Sequence, residues 1–96
     1  MYLVRKNVAR FERQNPACCN ILNRYILIVG GSILFEGKAC EFYDVEKDTS
    51  AGTGDLNVGR HYHSVLFIKN TYVYCFGGKG WRNSGSINSF EMMEYQ

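Results

Sequence analysis

Apolar residues along this 96-residue chain gather in short runs separated by polar turns, with little helical periodicity. Residues 25–29 read Tyr25-Ile26-Leu27-Ile28-Val29, and residues 71–76 read Thr71-Tyr72-Val73-Tyr74-Cys75-Phe76. Both are β-branched and aromatic runs of strand length, closed by the glycine pairs Gly30-Gly31 and Gly77-Gly78. Neither run shows polar alternation, which predicts burial on both faces. A second apolar segment precedes each run, at 17–22 and 64–68, across short polar turns at Asn23-Arg24 and Lys69-Asn70. Two β-hairpins are therefore predicted. A third strand follows each glycine pair, at 40–46 and at 90–96. Residues 44–48 form a polar turn into a weak fourth strand near Thr49-Ser50, and residues 51–55 are a loop toward Leu56 and Arg60. The best helical candidate, residues 4–14, is charged and carries no capping sequence. Pro16 opens a strand, where its missing N–H is tolerated. The expected fold class is all-β.

The pattern repeats. Arg13, Ile21, Asn23, Tyr25, Gly30 and Gly31 recur 47 positions later as Arg60, Ile68, Asn70, Tyr72, Gly77 and Gly78, without a gap. Glu41 and Glu91 stand 50 apart, so the second connecting loop is three residues longer, as an exposed loop allows. A fixed period of this size marks a repeat architecture, in which one unit cannot bury its own faces. The expected organisation is residues 13–59 as one unit and residues 60–96 as a second lacking its last strand. Residues 1–12 would be a linker plus, at 2–8, the fourth strand of a preceding unit. The chain is then expected to be a piece of a longer protein, or to assemble from several copies.

Composition narrows the function classes. Eleven basic and nine acidic residues, scattered along the chain, leave a formal charge of +2. That field is too weak to point to nucleic acid or an anionic membrane surface. No segment has the apolar length of a bilayer span, and residues 1–6 lack the features of a secretory signal. Cys18, Cys19, Cys40 and Cys75 have no disulfide-framework spacing, so reduced thiols in the cytoplasm are expected.

Four antiparallel strands in about 50 residues, the second closed by Gly-Gly, resemble a kelch repeat. Arg60, His63-Ser64 and Gly77-Gly78 fit that pattern in one copy, and Arg13, Ala17, Gly30-Gly31, Glu41, Tyr43 and Asp44 fit it in the other. The chain departs from the pattern where Ser50 replaces the usual tryptophan and Met93-Glu94 replaces Tyr-Asp. The resemblance implies roughly two four-stranded blades of an incomplete β-propeller, acting as a protein-interaction module with no catalysis and no cofactor. It also implies that arginines such as Arg13 and Arg60 brace turns between blades; because a buried arginine needs a partner and a repeat pairs it identically, the recurring Glu41 and Glu91 are the expected partners. Loops after Gly-Gly would gather at the channel mouth and share a partner surface.

Candidate chemistry is sparse. The glycine pairs have no P-loop context and read as strand ends needing positive φ and close packing. His61 and His63, two apart on a strand, with Cys75 nearby, could be imagined as a metal set, but a packed, hydrogen-bonded His63 is the default and no metal is expected. Asp44, Glu46, Asp48 and Asp55 sit in turn-like sequence and read as solvated. Tyr62, Trp81, Arg82, Asn83 and Ser84 are the candidate partner-binding residues: tryptophan beside arginine on a loop is hot-spot chemistry, with Trp81 folded back over the blade edge as the alternative, and the kelch resemblance implies that Tyr62 faces the channel. The expected partner is a protein, with self-association through open blade edges as a further possibility. The competing reading is a fragment of a propeller enzyme, galactose-oxidase-like or a sugar isomerase, whose active site lies largely outside this segment.

Overall fold

A computed structural model describes residues 13–31, 37–80 and 85–95. It is all-β. Among the described residues, seven strands run in chain order: β1 (Ala17–Ile21), β2 (Tyr25–Val29), β3 (Cys40–Asp44), β4 (Thr49–Gly52), β5 (Ser64–Ile68), β6 (Tyr72–Phe76) and β7 (Phe90–Glu94). They form two antiparallel sheets, β1-β2-β3-β4 and β5-β6-β7, with every neighbour in the sheet also a neighbour in sequence. Among the described residues there is no α-helix, and no helix long and apolar enough to cross a membrane. The strand expected at 2–8 lies outside the described residues.

The two sheets obey the sequence offset in detail. Leu22 and Asn23 take positive φ in the first hairpin, and Lys69 and Asn70 do so in the second. Each turn closes with the same bond, Arg24 N–H to Ile21 O and Thr71 N–H to Ile68 O, both 3.1 Å. The first turn thus centres on Leu22-Asn23, one residue earlier than Asn23-Arg24, because Asn20 and Asn23 lock it with two side-chain hydrogen bonds. After each second strand the glycine N–H reaches across to the start of the third: Gly30 to Ala39 O and Gly77 to Ser89 O.

One face of the first sheet packs on one face of the second. Ile21, Leu27, Val29, Cys40 and Leu56 meet Val65, Val73 and Cys75 in a single core. Period-two alternation assigns the odd positions of β1, β2, β5 and β6 to this seam. Where a tryptophan would have been expected, Ser50 stands instead, yet β4 still pairs with β3 from Glu41↔Gly52 to Asp44↔Thr49. Tyr95 supplies an aromatic wedge, edge-on to Phe42 at 6.2 Å and to Phe67 at 5.9 Å. The expectation that β2 and β6 bury both faces does not hold within these two sheets. Ile26 in β2 and Phe76 in β6 are exposed, because among the described residues each sheet packs against the other on one face.

Candidate functional site

The ends of the strands at the glycine pairs carry a polar network that recurs in both sheets. Arg13 Nη1 donates to Gly30 O and to Ala39 O, at 2.5 and 2.7 Å, and its Nη2 lies 3.3 Å from Glu41 Oε1. Arg60 repeats this: Nη1 donates to Gly77 O at 3.1 Å and Ser89 O at 2.7 Å, and Nη2 stands 3.3 Å from Glu91 Oε2. Both arginines thus have their expected glutamates. Their side chains, however, clamp β2 to β3 and β6 to β7 inside their own sheets instead of bracing a turn between sheets. The guanidinium fork suits this, because it can serve carbonyls and a carboxylate at once. The joint between sheets is made by the Arg60 backbone: Gly31 N–H donates to Arg60 O at 2.8 Å, and Arg60 N–H donates to Gly37 O. Glu91 extends it by accepting from Asn57 N–H and Val58 N–H in the connecting loop.

The glycine pairs are required for this approach. All four have positive φ. A Cβ on Gly30 would sit 2.8 Å from Arg60 O, and one on Gly78 would sit 2.5 Å from His61 O. Tyr43 has a local role, its hydroxyl donating to Asp48 Oδ1 at 2.6 Å across the β3–β4 turn.

His63 is buried, and its Nε2–H donates to Val29 O at 2.8 Å across the seam. Burial lowers its pKa, and the charges of Arg60 and His61 push the same way against the Val29 bond. His61 and His63 do not share a strand: His61 forms an isolated bridge with Lys79, and β5 starts only at Ser64. Cys75 lies in the core, where burial raises its thiol to about 11. Among the described residues no three His, Cys, Asp or Glu side chains come together.

Asp44 corrects the expectation of a solvated turn residue. It is buried, closes β3, and accepts from Arg24 Nη2 at 3.0 Å and from the N–H groups of Glu46 and Lys47. The Arg24 hydrogen bond holds its carboxyl below the ordinary value. Nothing in the repeat pointed to this pair, since Thr71 and Glu94 occupy the equivalent places.

Tyr62 stands at the end of the seam. It is 64% exposed, yet its φ is +57°, a region that non-glycine residues seldom enter and bulky ones least of all. Asn15, its equivalent in the first unit, has φ +54°, which suits asparagine. The Tyr62 N–H donates to Asn15 O at 3.3 Å. Its ring lies 5.2 Å from the His61 ring and 5.7 Å from Lys79 Nζ. Lys79 also bridges to Ser86, and Gly80 N–H donates to Gly85 O. The two flanks of the longer loop therefore stand beside His61 and Tyr62. Trp81, Arg82, Asn83 and Ser84 lie outside the described residues.

No protein-family model matches this chain, and no curated protein matches it.

Proposed function

We propose that this chain is a segment of a kelch-type β-propeller and serves as a non-catalytic protein-binding module of the cytoplasm. The observation that carries this reading is Tyr62: a solvent-facing aromatic held in a left-handed conformation between His61 and Lys79. Strain of that kind persists only where its surroundings over-determine it, and it concentrates at functional positions. A rigidly held aromatic beside a cation is also the side-chain chemistry of binding hot spots, and it loses little entropy on binding. The recurrence of arginine, paired glycines and glutamate in two successive sheets supports the blade reading. Four free thiols fit a reducing compartment.

Affinity capture with quantitative mass spectrometry tests the function. The wild-type chain is expected to recover a protein partner near stoichiometry, and Tyr62→Ala to recover at least about tenfold less. Lys47→Ala, in the exposed turn after β3, is expected to leave recovery unchanged. Recovery indifferent to Tyr62 would count against the reading. Stoichiometric copper or zinc in the purified protein would favour the propeller-enzyme fragment instead.

A further inference from the structure

The faces of the two sheets that look away from the seam are unlike ordinary surface. On the second sheet, Leu66, Ile68, Phe76, Phe90 and Met92 are all exposed large apolar residues. Tyr74 joins them through ring contacts to Phe76 and Phe90 at 6.1 Å each. These are the positions that, one repeat earlier, form the core. Ile21 is 0% exposed where Ile68 is 39%, Val29 is 0% where Phe76 is 40%, and Cys40 is 1% where Phe90 is 59%. The outward face of the first sheet carries Cys18, Ile26, Ile28, Tyr43 and Val45. These correspond to Val65, Val73, Cys75, Met93 and Tyr95, which the seam covers in the second sheet.

The backbone tells the same story. Gly31 N–H donates to Arg60 O of the next unit, whereas Gly78 N–H, its equivalent, has no hydrogen-bond partner among the described residues. A third unit placed as the second is on the first would present an arginine carbonyl there, and Arg13 is the residue of this chain that occupies that place in its unit.

We propose that copies of this chain associate head to tail. The outward face of the second sheet of one copy receives the outward face of the first sheet of the next, renewing the internal seam between molecules. The occupant is a second copy because the chain carries both halves of that seam, one on each side, and repeat units bury their faces only against such neighbours. The absence of a polar face on β2 and β6 is then accounted for, since both strands become covered on two sides. The contact is heterologous, so successive copies form a ring where the rotation closes and a filament where it does not. Pro16 stands where His63 does, so the histidine bond to the preceding sheet is not renewed. The seam between molecules is correspondingly weaker than the internal one. The proposal rests on the correspondence of the two units and not on the partner engaged by Tyr62, which lies on neither face.

Sedimentation velocity on the purified chain across a concentration series tests it, using Phe90→Glu on one face and Ile26→Glu on the other. Both side chains are exposed, and amide exchange of the core strands verifies that the variants fold. Wild type is expected to self-associate, and each variant alone to associate at least about tenfold more weakly. An equimolar mixture of the two variants is expected to form a 1:1 dimer, because each retains the face that the other has lost. A wild type that stays monomeric throughout would overturn the proposal and assign the faces to further units of a longer chain. Undiminished association of Ile26→Glu, or no dimer in the mixture, would overturn it in favour of a face-to-face pair.

Discussion

Arg60 is clamped to Glu91 with its side chain wholly withdrawn from solvent, Nη2 to Oε2 at 3.3 Å. Arg13 repeats the relationship with Glu41 at the same distance. A buried guanidinium is tolerated when carboxylate and carbonyls serve it together, and here Gly77 O, Ser89 O and Ser89 Oγ join Glu91 around Nη1 and Nη2, while Nε has no hydrogen-bond partner among the described residues. Arg60→Met is expected to lower stability by about 3–5 kcal/mol, because it leaves a carboxylate without its cation in a partly buried place. Urea denaturation measures this. Combining it with Glu91→Gln is expected to cost less than the two single losses together, since the residues form one network.

Gly78→Ala is expected to destabilise the fold by more than about 1 kcal/mol, since it adds a positive-φ penalty to a collision with the His61 carbonyl. Gly54→Ala serves as the control: nothing lies within 4 Å of its added Cβ, so the midpoint should stay or rise slightly.

Tyr62→Asn places at residue 62 the side chain that Asn15 has in the equivalent conformation. Thermal denaturation should show a gain of up to about 1 kcal/mol from relieved backbone strain. Partner binding should fall. A variant that is both less stable and fully competent to bind would contradict the role given to Tyr62.

Acid should weaken the fold in two stages. His63 has a folded-state pKa below its ordinary 6.5, so the unfolded chain takes up the proton first. Its stabilising contribution is whole above 6.5 and declines as pH falls toward the lower folded value. The carboxylate of Asp44, held below its ordinary 3.8, contributes above that value and is lost as pH falls through the depressed one. The slope of stability against pH just below 6.5 should flatten in His63→Gln. An unchanged slope would remove His63 as its cause.

The four thiols should react in a fixed order with iodoacetamide under native conditions. Cys18 is exposed and comes first. Cys19 follows, half-buried and raised to about 11 by burial and by its neighbour Cys18. Cys40 and Cys75, buried and each raised to about 11 by that burial, should be modified only on unfolding. Peptide mass mapping reads the order.

Much of this fold was legible because the chain states it twice. The glycine pairs, both hairpins, the third strands and the Arg–Glu pairings all fall at repeated offsets, and repetition separates a structural requirement from coincidence. Of what occurs once, β4 and the hydrogen-bonded His63 were legible from local sequence, but a pair that meets only through strand register was not. Arg24 and Asp44 meet only because β2 and β3 pair in the register Tyr25↔Asp44, and no second copy marks them. The direction of the arginine side chains is likewise a matter of three dimensions: sequence supplied their partners but not which sheet they brace. Tyr62 was singled out as an aromatic near the strand ends, while its left-handed backbone emerged only from the geometry it shares with Asn15. The two-sided burial read from β2 and β6 fails within two sheets, since a sheet at the end of a row has one neighbour.

The central claim is that residues 13–31 with β3, and residues 60–78 with β7, are the same unit made twice. Nuclear Overhauser contacts between backbone protons test it most directly. The account predicts contacts tying Leu27 to Phe42 and, at the equivalent place, Tyr74 to Met92, as the strand registers require. Contacts of one pair without the other, or sequential helical contacts anywhere in residues 60–76, would contradict it.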